Sequence, residues 1–341
     1  MRQFILKFLA AILLLMATQT DVFAQQRLSI NQIVHIIKNQ RLYPNYNLVA
    51  AHRGYWADSP ENSLGAYQKA IEIGADIVEM DVRLTKDNEM VIFHDACLDR
   101  VTNGYGKLRD ENWSYVSSLN LIMPDGTVTT ERVLRLSDAL DALNGKAVAS
   151  IDIKEGGAAF NETMIRVITM VRQKNMLNQT LIKGKLSLAD LQSQVLAPAG
   201  VTLSDFIYTP IAFSNTTNLE NYINSFAANP NIYAFELVYK QSDDFILNFI
   251  SILQQSGIWI GQYSFWPETS FGVFAEKIPL TDCDVITRDY NFLDNPNSPP
   301  NAWDDGRGDW DWLLSKGANY IITDRGELMI DYLNEIGKRT R

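Results

Sequence analysis

Apolar positions in this chain come in two patterns that alternate along it. Short, nearly unbroken apolar runs stand at Leu48–Ala51, Ile77–Val82 and Met90–Phe93, and again within Lys146–Lys154, Thr180–Lys183, Phe206–Phe213, Tyr233–Tyr239, Ile258–Tyr263 and Tyr320–Thr323. Runs of this length suit strands covered on both faces. Between them, apolar residues recur at helical spacing. Asn62 to Gly74 has Leu64, Tyr67 and Ile71 as its stripe, Asn62 as a cap and Gly74 as a stop. Leu136–Leu143, capped by Ser137, and Phe160–Lys174, Leu219–Phe226 and Leu328–Ile336 are further predicted helices. Strand–helix–strand units imply a parallel sheet. Ahead of them, Ser29 caps a lead-in helix with Ile30, Ile33, Val34 and Ile37 on one face, predicted to pack against the bottom or side of the sheet structure.

Three of the runs end in or carry groups suited to acid–base or metal chemistry. His52 and Arg53 follow the first, Glu79 and Asp81 lie within the second, and His94 and Asp95 close the third. Strand side chains alternate between faces, so Glu79 and Asp81 share one face while Val78, Met80 and Val82 share the other. Two carboxylates about 7 Å apart along one strand face repel unless a cation lies between them. Oxygen donors favour magnesium, calcium or manganese over zinc.

The order His-Arg-Gly, Pro-Glu-Asn-Ser, Glu-Met-Asp-Val, Thr-Lys-Asp and His-Asp resembles the glycerophosphodiester phosphodiesterase family. The likeness is strong over Leu48 to Lys154 and returns at Ile321 to Arg325. It implies a TIM (β/α)8 barrel of the phospholipase C-like phosphodiesterase type, a divalent metal (Ca2+ or Mg2+, with Mn2+ as a further choice), and His52 and His94 as general acid and base. Asp152 matches a metal-ligating carboxylate that is often glutamate in the family, so the implied ligand set is Glu79, Asp81 and Asp152. Lys154 matches the family's phosphate-binding lysine, and Arg53 adds positive charge for the phosphoryl group. The implied reaction is hydrolysis of a glycerophosphodiester to an alcohol and sn-glycerol 3-phosphate. The competing readings are a metal-independent phosphatidylinositol phospholipase C-like enzyme, a sphingomyelinase D-like lyase, and a non-catalytic barrel that only binds.

Nine strand candidates compete for eight barrel places, and one of the two middle ones, Phe206–Phe213 or Tyr233–Tyr239, is expected outside the ring. Asp99 and Arg100 are expected to pair with each other, and Glu236 either points into the barrel mouth or pairs with Lys240. Lys107–Leu134 is a loop-rich, short insertion, and Thr281–Asp311 is an acidic solvated loop before the last strand that lacks the spacing of an EF-hand. Tyr263, Phe265 and Trp266 are candidates for a pocket wall.

Arg2 and Lys7, the apolar run Phe8–Met16 and Val22-Phe23-Ala24 read as a secretory signal over residues 1–24, which implies a periplasmic or secreted protein. The lead-in helix then occupies 25–46 and a single barrel domain 47–341. The apolar run falls short of the roughly 20 residues that a membrane span needs, so no stable membrane insertion is expected. A net charge of −10 argues against nucleic acid as a partner and favours a small-molecule substrate drawn in by local positive charge. His35 reads as a surface histidine of the lead-in helix, and Cys97 and Cys283, the two cysteines, as two buried free thiols or, in the oxidising compartment that a signal segment implies, a disulfide.

Overall fold

The computed structural model describes residues 27–123, 125–239, 242–264 and 310–340. The signal segment, Phe265, Trp266, the loop 281–309, Lys240 and Cys283 lie outside these residues.

Eleven strands are present among the described residues. They are β1 (Leu48–Ala51), β2 (Ile77–Leu84), β3 (Met90–Ile92), β4 (Asn120–Ile122), β5 (Val128–Arg132), β6 (Val148–Ile153), β7 (Thr180–Gly184), β8 (Ile207–Phe213), β9 (Ala234–Val238), β10 (Trp259–Tyr263) and β11 (Tyr320–Thr323). Eight of them, in the order β1-β2-β6-β7-β8-β9-β10-β11, pair in parallel, and β11 pairs back onto β1. The ring is therefore closed, with Leu48 opposite Tyr320 and Ala50 opposite Ile77 at the seam. Helices follow most strands and cover the outside, so the outward residues Val78, Met80, Val82, Ile151 and Phe235 join a large apolar shell. This is the (β/α)8 barrel that the sequence resemblance implies.

The ninth strand candidate is resolved differently from expectation. Both middle strands, β8 and β9, belong to the ring. The strand outside it is β3, which runs antiparallel to the upper half of β2, with Val82 opposite Ile92 and Leu84 opposite Met90. β2 is longer than a barrel place requires. It overshoots the rim, turns at Thr85–Glu89 and returns as β3.

The lead-in helix, Ile30–Lys38, begins with a capping box in which Ser29 accepts from the backbone of Gln32. Ile33, Ile36 and Ile37 pack on the inward side chains of the lower barrel, among them Leu48, Ile77, Leu181, Ile207 and Trp259. Trp259 Nε1 donates to the Ile37 carbonyl at 2.9 Å. The helix thus plugs the bottom of the barrel. His35 is exposed on its outer side.

Several local expectations are corrected. The helix Leu64–Glu72 is capped by Ser63, not Asn62, and Leu64 is exposed rather than part of the buried stripe. The helix Leu136–Leu143 has Arg135 at its N-cap, and Ser137 lies inside it. Within the insertion, β4 and β5 form a separate antiparallel ribbon over a small core containing Phe93, Leu98, Val116 and Leu121. Cys97 is disulfide-bonded rather than a free thiol.

Candidate active site

β2 carries the central groups. Glu79 and Asp81 are fully buried and point into the barrel, as strand alternation requires. Asp152, on β6, stands directly opposite Asp81 in the pairing register. Glu79, Asp81 and Asp152 each offer an oxygen within 4.8 Å of the others. Glu79 Oε1 is buried and accepts no hydrogen bond, while Asp81 Oδ1 has the Lys154 ammonium 3.0 Å away. A converging set of hard oxygen donors, with the buried Glu79 Oε1 left unsatisfied, fits a divalent cation of the calcium or magnesium kind.

Cations of the protein surround this cluster. Lys154 Nζ bridges Asp81 Oδ1 at 3.0 Å and Asp152 Oδ2 at 2.8 Å. Arg53 Nε lies 3.4 Å from Asp81 Oδ2, and the Arg53 backbone N–H donates to Glu79 Oε2 at 2.9 Å. Burial pushes Asp81 up, but Lys154, His94 and Arg53 outweigh it and hold this carboxyl well below its usual range. Glu79 goes the other way, raised by burial and by the charge of Asp81. Burial also opposes the charge on Lys154, yet Asp152 and Asp81 keep it a cation.

The β1 loop reaches this position through an unusual backbone. Arg53 has φ +56° and Gly54 φ +82°. A Cβ on Gly54 would stand 2.8 Å from Ala66 Cβ, so the loop packs against the following helix only with glycine there. Asn62 also has φ +56°. Its amide donates to Asp81 Oδ2 at 2.8 Å, and its carbonyl accepts from Tyr67 Oη at 3.0 Å. Left-handed non-glycine residues of this kind gather at functional sites, where surrounding contacts hold them in place.

Each histidine is paired with a carboxylate through Nδ1. His52 Nδ1 is 2.8 Å from Asp324 Oδ1, just past β11, and that oxygen also accepts from Trp56 Nε1 at 3.0 Å. His94 Nδ1 is 2.6 Å from Asp95 Oδ1. Arg100 binds Asp95 and also grips both oxygens of Glu61, at 2.8 and 2.7 Å. Asp99 is not its partner. Glu61 in turn accepts from Arg53 at 3.1 Å. His94 does not end a parallel strand. The returning β3 brings it down to the rim, where the Phe93 N–H donates to the Asp81 carbonyl at 2.9 Å and Arg83 Nε to the His94 carbonyl at 2.7 Å. Burial, then Arg53, lowers the pKa of both imidazoles. Each ring is held at Nδ1 by its carboxylate, which leaves Nε2 as the atom that can take up or give a proton.

Beneath the cluster lies a second ion pair. Lys183, on β7, is fully buried, with Nζ 3.0 Å from Glu236 Oε1 and 3.6 Å from Glu79 Oε1. Glu236 does point into the barrel, and its partner is Lys183. Tyr263 leans edge-on against His52 with ring centroids 5.5 Å apart, so it does wall the site.

The seven candidate residues His52, Arg53, Glu79, Asp81, His94, Asp152 and Lys154 thus meet at one mouth of the barrel. Asn62, Glu61, Arg100, Asp324 and Lys183 join them without having been singled out from the sequence as site residues. Pro-Glu-Asn-Ser and Thr-Asp-Arg were visible as motifs, but nothing in them shows which distant side chain each carboxylate or amide meets. Lys183 gives no signal beyond strand alternation.

Residues 52–196 match the model of the glycerophosphoryl diester phosphodiesterase family. Over that segment the chain is similar to the family. It is 33% identical over 139 residues to a glycerophosphodiester phosphodiesterase of Caldanaerobacter subterraneus, an alignment covering 40% of this chain and 57% of the relative. The chain spans about half the length of the first curated relatives it matches. The fold likeness reaches further. A glycerophosphoryl diester phosphodiesterase from Parabacteroides distasonis superposes with a TM-score of 0.64 at 19% identity, over 91% of this chain and 93% of that one. An Oleispira antarctica phosphodiesterase, solved with the product sn-glycerol-3-phosphate, gives 0.55 at 16% identity, over 86% and 98%. The segment match and the fold agree with the site: the matched segment contains all seven candidate residues.

Proposed function

We propose that this protein hydrolyses glycerophosphodiesters, releasing an alcohol and sn-glycerol 3-phosphate. The observation that carries this reading is the convergence of Glu79, Asp81 and Asp152 between two histidine–carboxylate pairs. A phosphodiester is an anion with a poor leaving group. Its hydrolysis needs positive charge at the phosphoryl oxygens and two correctly placed proton carriers.

Glu79, Asp81 and Asp152 would hold a divalent cation, which would supply charge neutralisation at a phosphoryl oxygen. Arg53 and Lys154 bind the remaining phosphoryl oxygens through charge-assisted hydrogen bonds. One imidazole takes a proton from the nucleophile at Nε2, while the other returns one to the departing alkoxide. Asp324 and Asp95 orient the two rings. Tyr263 gives the pocket an apolar side for the glycerol or alcohol portion. The donor set favours calcium, magnesium or manganese.

The test is a panel of glycerophosphodiesters assayed for sn-glycerol 3-phosphate release, with and without chelator. Release that stops in chelator and resumes with calcium, magnesium or manganese is the expected result. Full activity in excess chelator refutes the metal-assisted route, and no release from any glycerophosphodiester refutes the substrate class.

Export is a further part of the proposal, supported by the signal-like pattern of residues 1–24. No helix among the described residues is long and apolar enough to cross a membrane. Mass spectrometry of the protein from its own host should find an N-terminus at Gln25, whereas an intact N-terminus retained on membranes would show an anchor.

A further inference from the structure

Lys183 and Glu236 are a charged pair inside the barrel that the proposed reaction does not use. Both are fully buried inside the barrel. The layer below them is apolar, built from Leu48, Ile77, Leu181, Ile207 and Trp259 with the plugging helix. Apolar side chains could fill this space equally well, because a buried ion pair rarely stabilises a protein more than well-packed hydrophobic residues do. The barrel also makes room for the pair. Gly261 faces Glu236 across β9 and β10, and a Cβ there would stand 2.7 Å from Glu236 Cγ and 2.8 Å from Tyr320 Cδ1.

What the pair reaches is Glu79. Oε2 of Glu79 is held by the Arg53 backbone N–H at 2.9 Å. Oε1, the oxygen with no hydrogen bond, has the Lys183 ammonium 3.6 Å away. Glu236 holds the same ammonium at 3.0 Å. Tyr320 Oη donates to the same Glu236 oxygen at 3.4 Å, and the Tyr263 ring lies 5.7 Å from Nζ. Lys183 is thus clamped between two carboxylates, only one of which belongs to the converging cluster.

We propose that Lys183, clamped by Glu236, is a positioning residue that aims Glu79 at a divalent cation and offsets part of the negative charge gathered by the three carboxylates. This rests on the proposed metal role of Glu79, Asp81 and Asp152. Groups that orient a ligand from behind typically change metal affinity about 10- to 100-fold when removed. An ion pair that only fills the barrel leaves metal affinity untouched.

The test is calorimetric titration of the full-length protein with calcium and with manganese, in the absence of substrate, alongside the melting temperature. The double variant Lys183→Met/Glu236→Leu removes both charges together, so neither is left buried alone. It should fold and bind the ions about 10- to 100-fold more weakly. A folded double variant with wild-type affinity overturns the inference. If it does not fold, Glu236→Gln decides instead. That change keeps the shape and leaves Glu79 as the only carboxylate within 4 Å of Lys183 among the described residues, so an incoming cation competes with the ammonium and affinity falls. Unchanged affinity in Glu236→Gln overturns the inference equally. Failure of the unaltered protein to bind either ion defeats the metal reading itself and this inference with it, an outcome distinct from variants that match the wild type.

Discussion

Asn62 donates its side-chain amide to Asp81 Oδ2 across 2.8 Å, from a backbone held at φ +56°. A residue whose type suggests a helix cap is instead a support for the central carboxylate, while its neighbour Ser63 caps the helix by accepting from the Ala66 N–H. The two roles are separable. Asn62→Ala should weaken divalent binding about 10- to 100-fold, since it frees Asp81 to turn. Ser63→Ala should cost about 1 kcal/mol of stability and leave metal affinity alone. Titration calorimetry and thermal melting of the two variants, side by side, check both halves.

The histidines are expected to carry the proton transfers. His52→Ala and His94→Ala should each lower kcat by about 100- to 10,000-fold with little change in melting temperature. Asp324→Asn should also lower kcat. An amide can offer N–H to Nδ1, which would place the imidazole proton on Nε2 and block the base. Steady-state kinetics on the purified variants decide this, and near-normal turnover in either alanine variant removes that histidine from the mechanism.

Glu61 supplies a pH signature independent of catalysis. Burial pushes this carboxyl up, but Arg100 and then Arg53 bring it down to about 2 from an ordinary 4.5. A carboxyl whose pKa is depressed on folding stabilises the protein above its unfolded value and loses that contribution as pH falls. The loss should begin near pH 4.5 and approach roughly 3 kcal/mol by pH 2, at about 1.4 kcal/mol per pKa unit. Denaturant unfolding at pH 7 and pH 3 should show a smaller drop for Glu61→Gln than for the wild type. Equal drops would mean that this carboxyl is not held by the two arginines.

Asp152 tests the ligand set. Asp81→Asn removes a ligand charge and should weaken metal binding strongly. Asp152→Glu restores the residue that relatives of this family often show in the sequence pattern, and it should preserve binding. Loss of all affinity in Asp152→Glu, with the fold intact, would show that the shorter side chain is required. Isotherms for the two variants make the comparison.

Local sequence determined a good part of this protein. The two-residue period of a strand places Glu79 and Asp81 together, and it needs no knowledge of the rest of the chain. The same holds for the Ser29 cap and for the helix stopped just before Gly74, whose φ of +84° suits glycine. The Asp152 and Lys154 pairing on one face also follows from β6 alone.

Ring closure and partner choice were decided by tertiary structure. Every barrel strand was visible, yet which candidate left the ring depended on the length of β2 beyond the rim, and both middle strands stayed in. Asp324 meets His52 across 272 residues of sequence, and Lys183 meets Glu236 only because β7 and β9 both face the barrel interior. Arg100 could pair with its neighbour Asp99, but closure of the β1 and β3 loops over the mouth gives it Glu61 and Asp95. Periodicity assigns a side chain to a face. Which charge it meets there is settled by the shear and closure of the whole barrel, which no local stretch encodes.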